Sequence, residues 1–341
     1  MRRYLTLFVL FSLLLWTGCR NDTGKKQNAE GIDTSMVKIE ELNQKIANNA
    51  SDPAPYNARA VFYLSNHQFD KALQDIKKAI SLDPKKSVYY ITLSDIYLLM
   101  GQPQNSRDAL FKATSINPKD KDALLKLAKL YLIIKDYSKC YETVHQILSL
   151  DNTVASAYFT RAIGLLEQGD TNRAVTDLMQ AVDNNQNYYE AYVQLGDLYS
   201  MKKDPLAEAY LKNALRIRPQ SREANYMLGM YYQETAQYEK AITIYQNLSK
   251  TDSAFREASY NIGYIYLVYL KDFKKAIPFF TESLTKDPGY YQAYFNRGYA
   301  YELSGDYKKA AEDYQKALKI KVNYDKAVEG LNRLDKKKIR Q

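Results

Sequence analysis

The segment Tyr291–Tyr324 reads YQAYFNRGYAYELSGDYKKAAEDYQKALKIKVNY and is a 34-residue unit that recurs along the chain. In its first half, Tyr294, Gly298 and Tyr301 have the i, i+4, i+7 spacing of one helix face. A turn sequence follows at 304–306, and the second half shows helical spacing again. The unit is therefore predicted to be a helical hairpin. A single hairpin of this kind cannot bury its apolar face, so copies of it must stack beside one another.

The chain contains eight such copies when it is aligned on this unit. One residue is lost in the fifth copy and one is gained in the seventh, both of which we place at the turn, where length changes cost least. Residues 36–52 are predicted to form a helix over the first hairpin, and 325–341 a capping helix with a basic tail. The capping helix is expected to pack through one side, which carries Ala327, Val328, Leu331 and Leu334. The copies are 53–86, 87–120, 121–154, 155–188, 189–221, 222–255, 256–290 and 291–324.

Small residues recur in one register of the copies. Glycine inside a helix costs roughly 1 kcal/mol relative to alanine, so its recurrence indicates that the second helix approaches closely there. We expect these glycines at Gly196, Gly229, Gly263 and Gly298. The facing small positions are Ala72, Ala174, Ala207, Ala241, Ala276 and Ala310, and the predicted C-cap glycines of the turns are Gly101, Gly169 and Gly305.

The pattern resembles the tetratricopeptide repeat, whose consensus is W-x₂-L-G-x₂-Y…A-x₃-F…P. The fifth copy matches the first half as Tyr192-x₂-Leu195-Gly196-x₂-Tyr199, and the seventh matches the second half as Ala276-x₃-Phe280…Pro288. The resemblance implies an all-α fold, a right-handed superhelical solenoid of about eight helix–turn–helix repeats with capping helices at both ends.

The first residues have the pattern of a secretory leader: Arg2-Arg3, an apolar run over 4–16, and small residues before Cys19. Thr17-Gly18-Cys19 resembles the lipobox of bacterial lipoproteins. That resemblance implies removal of 1–18, acylation of Cys19 (palmitate or a similar chain) and a flexible tether over 19–35. It also implies a lipid-anchored protein, with the outer membrane facing the periplasm expected and the cell surface left open. The alternative is ordinary leader cleavage nearby with an unmodified Cys19.

The sequence contains little that indicates catalysis. His67 and His145 are its only histidines, and Cys140 occupies a position filled elsewhere by alanine. There is no glycine-rich phosphate loop and no histidine-rich metal motif. The formal charge of +9 is spread along the chain, as on an ordinary solvated surface. We therefore expect no enzyme activity, no cofactor, no metal and no nucleic-acid partner.

In the tetratricopeptide family the first helices line a concave groove that carries the ligand contacts. Tyrosine supplies contact area together with a polar tip, as binding surfaces need. Carried over to this sequence, the partner-binding groove is predicted at Tyr226, Met230, Tyr260, Asn261, Tyr264, Phe295, Asn296 and Tyr299. The two asparagines match a family asparagine that can hold a peptide backbone. The alternative is that these side chains pack between repeats.

These features together favour a membrane-anchored adaptor that binds a protein or peptide of the bacterial cell envelope. Its implied setting is secretion, pilus assembly or the assembly of cell-wall enzymes. An outer-membrane lipoprotein that binds glycans or nutrients on a similar scaffold is the alternative. A sugar-stacking tryptophan is absent after Trp16, which argues against it.

Overall fold

The structure is a computed structural model that describes residues 34–338, and this part of the chain is all-helical with no strand. Its helices are α1 Thr34–Asn48, α2 Pro53–Ser65, α3 Phe69–Leu82, α4 Ser87–Leu99, α5 Pro103–Ile116, α6 Lys121–Ile133, α7 Tyr137–Leu150, α8 Ala155–Glu167 and α9 Thr171–Asn184. They continue with α10 Tyr189–Met201, α11 Leu206–Ile217, α12 Arg222–Glu234, α13 Tyr238–Thr251, α14 Arg256–Tyr264, a π-helical turn Ile265–Tyr269, α15 Phe273–Lys286, α16 Tyr291–Leu303, α17 Tyr307–Ile320 and α18 Asp325–Lys338.

The chain divides into two compact units, Met1–Ala174 and Val175–Gln341. In the first unit α2 packs on α3, α4 on α5 and α6 on α7, and each hairpin also contacts the next. In the second unit the hairpins are α10–α11, α12–α13, α14–α15 and α16–α17, with α18 packed on the last of them. Both units are therefore rows of helical hairpins, as the repeat pattern predicts.

A left-handed residue ends the first helix of every hairpin. The three glycines predicted there are confirmed, with φ of 72° at Gly101, 84° at Gly169 and 88° at Gly305. The other five turns use residues that carry a side chain, namely His67, Lys135, Lys203, Ala236 and Lys271, with φ between 53° and 61°. Asp170 and Asp306 follow two of the three glycines as N-caps, since their carboxylates accept backbone N–H groups of the helices they precede.

The close contact predicted at the in-helix glycines is made by a side chain of the second helix. A Cβ on Gly229 would lie 2.5 Å from the ring of Tyr245, and one on Gly298 would lie 3.1 Å from the ring of Tyr314. Gly196 and Gly263 meet Leu211 and Phe280 in the same way. The six facing alanines are fully buried: Ala72, Ala174, Ala207, Ala241, Ala276 and Ala310.

Helix α1 covers the first hairpin as the second helix of a repeat would. Arg59 of α2 donates to Asn43 Oδ1 on α1 at 2.7 Å, and the equivalent Arg297 of α16 donates to Thr281 Oγ1 on α15 at 3.0 Å. Each guanidinium also pairs with an aspartate on its own second helix, Asp75 or Asp313. The helix begins at Thr34, two residues before its predicted start, and ends at Asn48 rather than 52.

Two details differ from the sequence-based expectation. The extra residue of the seventh copy, predicted at the turn, is taken up inside the first helix, which ends in the π-helical turn Ile265–Tyr269. Val328 of α18, expected on the packing side with Ala327 and Leu334, is 41% exposed, whereas the other two are buried.

None of the helices within residues 34–338 is both long enough and apolar enough to cross a bilayer.

Candidate functional site

Three aromatic residues occupy one position of successive first helices in the second unit and form the floor of the predicted groove. They are Tyr226 on α12, Tyr260 on α14 and Phe295 on α16, and all three are half-buried. Each ring lies between an aromatic ring of its own second helix and an aromatic ring of the loop that follows. The ring centroid of Tyr226 lies 6.0 Å from that of Tyr245 and 5.3 Å from that of Phe255. The centroid of Tyr260 lies 5.7 Å from Phe280 and 4.9 Å from Tyr290. The centroid of Phe295 lies 5.6 Å from Tyr314 and 5.4 Å from Tyr324.

The two predicted groove asparagines hold this floor together across repeats. Asn261 Nδ2 donates to the Tyr226 hydroxyl at 3.3 Å, and Asn296 Nδ2 donates to the Tyr260 hydroxyl at 2.8 Å. Each asparagine thus ties its helix to the tyrosine of the preceding repeat. Phe295 has no hydroxyl, so the series of Asn–Tyr bonds ends there. The structure gives the asparagine amides this internal role beside the peptide-binding role that the family resemblance implies.

A second row lies one helical turn further along the same helices, at Met230, Tyr264 and Tyr299, all half-buried. Tyr264 stacks on Tyr260 with ring centroids 6.3 Å apart, and Tyr299 stacks on Phe295 at the same distance. The structure therefore brings the five predicted groove rings and Met230 together as two adjacent rows, each partly open to solvent and partly packed against its neighbours.

The phenols of Tyr226, Tyr260 and Tyr264 are neutral at physiological pH. Burial raises the pKa of Tyr226, Tyr260 and Tyr264 above the ordinary value. The groove thus offers uncharged hydroxyls and ring surface, which suits apolar and hydrogen-bonding contacts with a ligand.

The sequence reasoning missed the π-helical turn beside this groove. Tyr269, at the end of that turn, lies 5.9 Å from Tyr264 and stacks on Tyr238 of the preceding repeat at 4.8 Å. The one-residue insertion in the seventh copy is the signal that could have located it, because an inserted residue in a helix is commonly absorbed as a π-turn.

Cys140 and His67, which the sequence offered as candidates for chemistry, occupy structural positions. Cys140 is fully buried, and burial raises the pKa of its thiol to about 12. His67 is the left-handed turn residue of the first hairpin. Among residues 34–338, no group of three or more histidine, cysteine or acidic side chains is placed to hold a metal ion. Cys19, the predicted lipidation site, lies outside the described residues.

Curated proteins with similar sequences are larger than this chain. The human protein O-mannosyl-transferase TMTC3 is 26% identical over 186 residues, which are 53% of this chain and 20% of that protein. Anaphase-promoting complex subunit 3 of Schizosaccharomyces pombe is 23% identical over 144 residues, 42% of this chain and 22% of that protein. The chain thus spans about a fifth of the length of these relatives.

Solved structures with a similar fold include several repeat proteins. The C-terminal part of a TPR repeat-containing protein from Cytophaga hutchinsonii matches with a TM-score of 0.60 and 19% identity, over 70% of this chain and 98% of that one. PilW, a type IV pilus biogenesis factor, matches with a TM-score of 0.53 and 15% identity, over 60% of this chain and 96% of that one. Pseudomonas aeruginosa pilF matches with a TM-score of 0.52 and 13% identity, over 63% of this chain and 94% of that one. At these identities the likeness concerns the fold alone.

Models of the tetratricopeptide repeat match residues 54–86, 88–120, 159–222, 226–291 and 291–324, more than half of the chain. The hairpins, their small-residue contacts and their turns agree with these matches. The chain belongs to the tetratricopeptide repeat family.

Proposed function

We propose that this protein is a non-enzymatic scaffold that binds a segment of a partner protein through the aromatic groove of its second unit. The observation that carries the proposal is the double row of half-buried side chains on three successive first helices, all of them aromatic except Met230. Side chains needed only for packing could be fully buried, as Tyr245, Phe280 and Tyr314 are. The groove rings instead keep part of their surface exposed.

We further propose that the scaffold acts in the bacterial cell envelope, anchored by a lipid on Cys19. The support is the leader-like start and the Thr17-Gly18-Cys19 sequence. A fold shared with PilW, a type IV pilus biogenesis factor, is compatible with such a setting. An anchor concentrates the groove at a membrane surface, so that a modest affinity for the partner is sufficient. The partner is expected to be an envelope protein, in secretion, pilus or cell-wall enzyme assembly.

The groove is tested by the double substitution Tyr264→Ala and Tyr299→Ala. These rings belong to the second row, so their loss removes contact area while the Asn–Tyr bonds remain. We expect unchanged helicity and loss of the captured partner in affinity purification from solubilised native membranes. The matched control is Phe111→Ala, which removes an exposed ring on α5 in the first unit. Equal capture by the double variant and the control would contradict the groove assignment.

The anchor is tested by Cys19→Ala. Because acylation requires the thiol, the variant is expected to leave the membrane fraction or to accumulate with its leader uncut. Fractionation of cells and the mass of the mature protein are the measurements. A variant that is processed normally and stays in the membrane would exclude lipidation at this residue.

A further inference from the structure

A row of carboxylates borders the aromatic groove on one side. Glu190, Glu223 and Glu257 occupy the second position of α10, α12 and α14. On α12 and α14 this is three residues before the floor tyrosines, which places carboxylate and ring on the same helix face about one turn apart. Because equivalent positions of stacked hairpins line up, the three carboxylates form one border of the groove.

This border keeps an excess of negative charge. Glu190 accepts from Arg218 at 2.8 Å and Glu257 from Arg256 at 3.1 Å, but Arg256 is shared with Asp287. Arg222, beside Glu223, pairs with Asp252 in the same way, so five carboxylates stand against three guanidinium groups. Burial first, and then the nearby Glu190 and Asp197 charges, raise the pKa of Glu223. The groove border is therefore acidic on a chain whose formal charge is +9.

The opposite border of the groove carries exposed apolar side chains in three of its four repeats, and the sixth repeat has Glu234 at this position. Met201 at the end of α10, Val268 in the π-helical turn and Leu303 at the end of α16 are 50%, 40% and 40% exposed. They occupy the thirteenth position of their repeats, eleven residues beyond the position of the carboxylate border. At about 1.5 Å per residue the two borders are roughly 16 Å apart. A helix with its side chains is about 10–12 Å in diameter, so one lying along the aromatic floor fits between the two borders.

We propose that the occupant of this groove is a cationic amphipathic helix of a partner protein, with its apolar face on the rings and its Lys and Arg side chains on the carboxylate border. The inference rests on the proposed function and specifies the chemistry of the partner. Charge complementarity selects the occupant, because an acidic or neutral helix would leave the excess carboxylates without a counter-charge. The exposed apolar side chains of the other border match the apolar face of such a helix.

The test uses the full-length protein and two fluorescein-labelled peptides. One is an amphipathic helical peptide of leucine and lysine, and the other has every lysine replaced by glutamate. Fluorescence anisotropy measures binding at low and high salt. We expect the lysine peptide to bind and the glutamate peptide not to bind. Added salt should weaken the lysine peptide's binding, since the contacts with the border are between partly exposed charges.

Two triple variants separate the border from the overall charge. Replacing Glu190, Glu223 and Glu257 by Gln should weaken binding of the lysine peptide about tenfold, by loss of three exposed charge pairs. The matched control replaces three exposed glutamates outside the groove by Gln and should change binding less than about twofold. These are Glu239 on α13, Glu312 on α17 and Glu329 on α18.

Each outcome bears on one of the two proposals. Equal binding of both peptides, or equal weakening by both triple variants, would overturn the cationic helix. If binding is abolished by Tyr264→Ala with Tyr299→Ala but is unaffected by the border variant, the groove stands and the charge assignment fails. Binding of the lysine peptide that survives both the ring and the border variants would place it elsewhere on the surface and overturn the inference.

Discussion

At each hairpin turn a single residue with left-handed backbone determines whether the chain can reverse. Glycine adopts this conformation without cost, whereas a residue with a Cβ pays roughly 1–2 kcal/mol. Ala236 has a φ of 60° and lacks a polar side chain that could offset the cost. We therefore expect Ala236→Gly to stabilise the protein by about 1 kcal/mol, measured as a higher urea midpoint at unchanged slope.

The reverse change at an equivalent turn is the control for this prediction. Gly305, with a φ of 88°, should lose about 1 kcal/mol when it is replaced by Ala. If both substitutions destabilise the protein, the left-handed conformation of Ala236 does not lower its stability. The sequence marked only Gly101, Gly169 and Gly305 as left-handed residues. The other five turns could not be recognised by residue type, because His, Lys and Ala do not indicate this conformation.

The capping helix α18 is held by a buried ionic contact as well as by apolar packing. Arg333 donates to both oxygens of Glu302, at 3.1 and 2.9 Å, and Tyr314 donates to the same carboxylate at 2.7 Å. Glu302 is only 4% exposed. Arg333→Met removes the guanidinium from this buried carboxylate, while the Tyr314 hydroxyl still donates to it. The substitution should therefore lower the free energy of unfolding by roughly 1–3 kcal/mol. Urea unfolding and amide exchange within α16–α18 are the measurements.

The control for this contact is Lys326→Met, which removes an exposed cation from the same helix. We expect a change within about 0.5 kcal/mol. Similar losses in both variants would mean that helix charge, and not the contact with Glu302, is what matters. The apolar side of α18 could be predicted from its spacing, but this contact could not. Glu302 and Arg333 lie 31 residues apart, and each looks like an ordinary surface charge in sequence.

The stacked hairpins could be predicted from the sequence more fully than the groove. The hairpins follow from spacing alone, because the same positions of each copy must meet the same neighbours. The groove tyrosines were predicted from their helix position. Their packing partners Phe255, Tyr290 and Tyr324 lie in the connections between repeats, where no periodicity shows what they contact. The acidic border was visible in sequence only as separate glutamates, and its continuity depends on the stacking of the helices.

Contacts in both units run between helices that are neighbours or next neighbours in the chain. In such an array a local weakening opens nearby hairpins and leaves distant ones closed. The thiol of Cys140 reports this in the first unit, because it is fully buried and its pKa is raised to about 12. In a Cys19→Ala background, it should react with a thiol reagent only when the α6–α7 hairpin opens.

Two substitutions should affect this reaction differently. Tyr137 lies three residues before Cys140 on the same helix, and its hydroxyl donates a 2.7 Å hydrogen bond to Glu167. Tyr137→Phe removes this hydrogen bond. A loss of about 1–2 kcal/mol in local stability should speed labelling roughly tenfold in native buffer, because the open state becomes more populated. Arg333→Met weakens the end of the second unit and should leave the labelling rate unchanged. Faster labelling in both variants would show that the array opens as one cooperative body, since nearest-neighbour packing alone cannot carry the effect from α18 to α7.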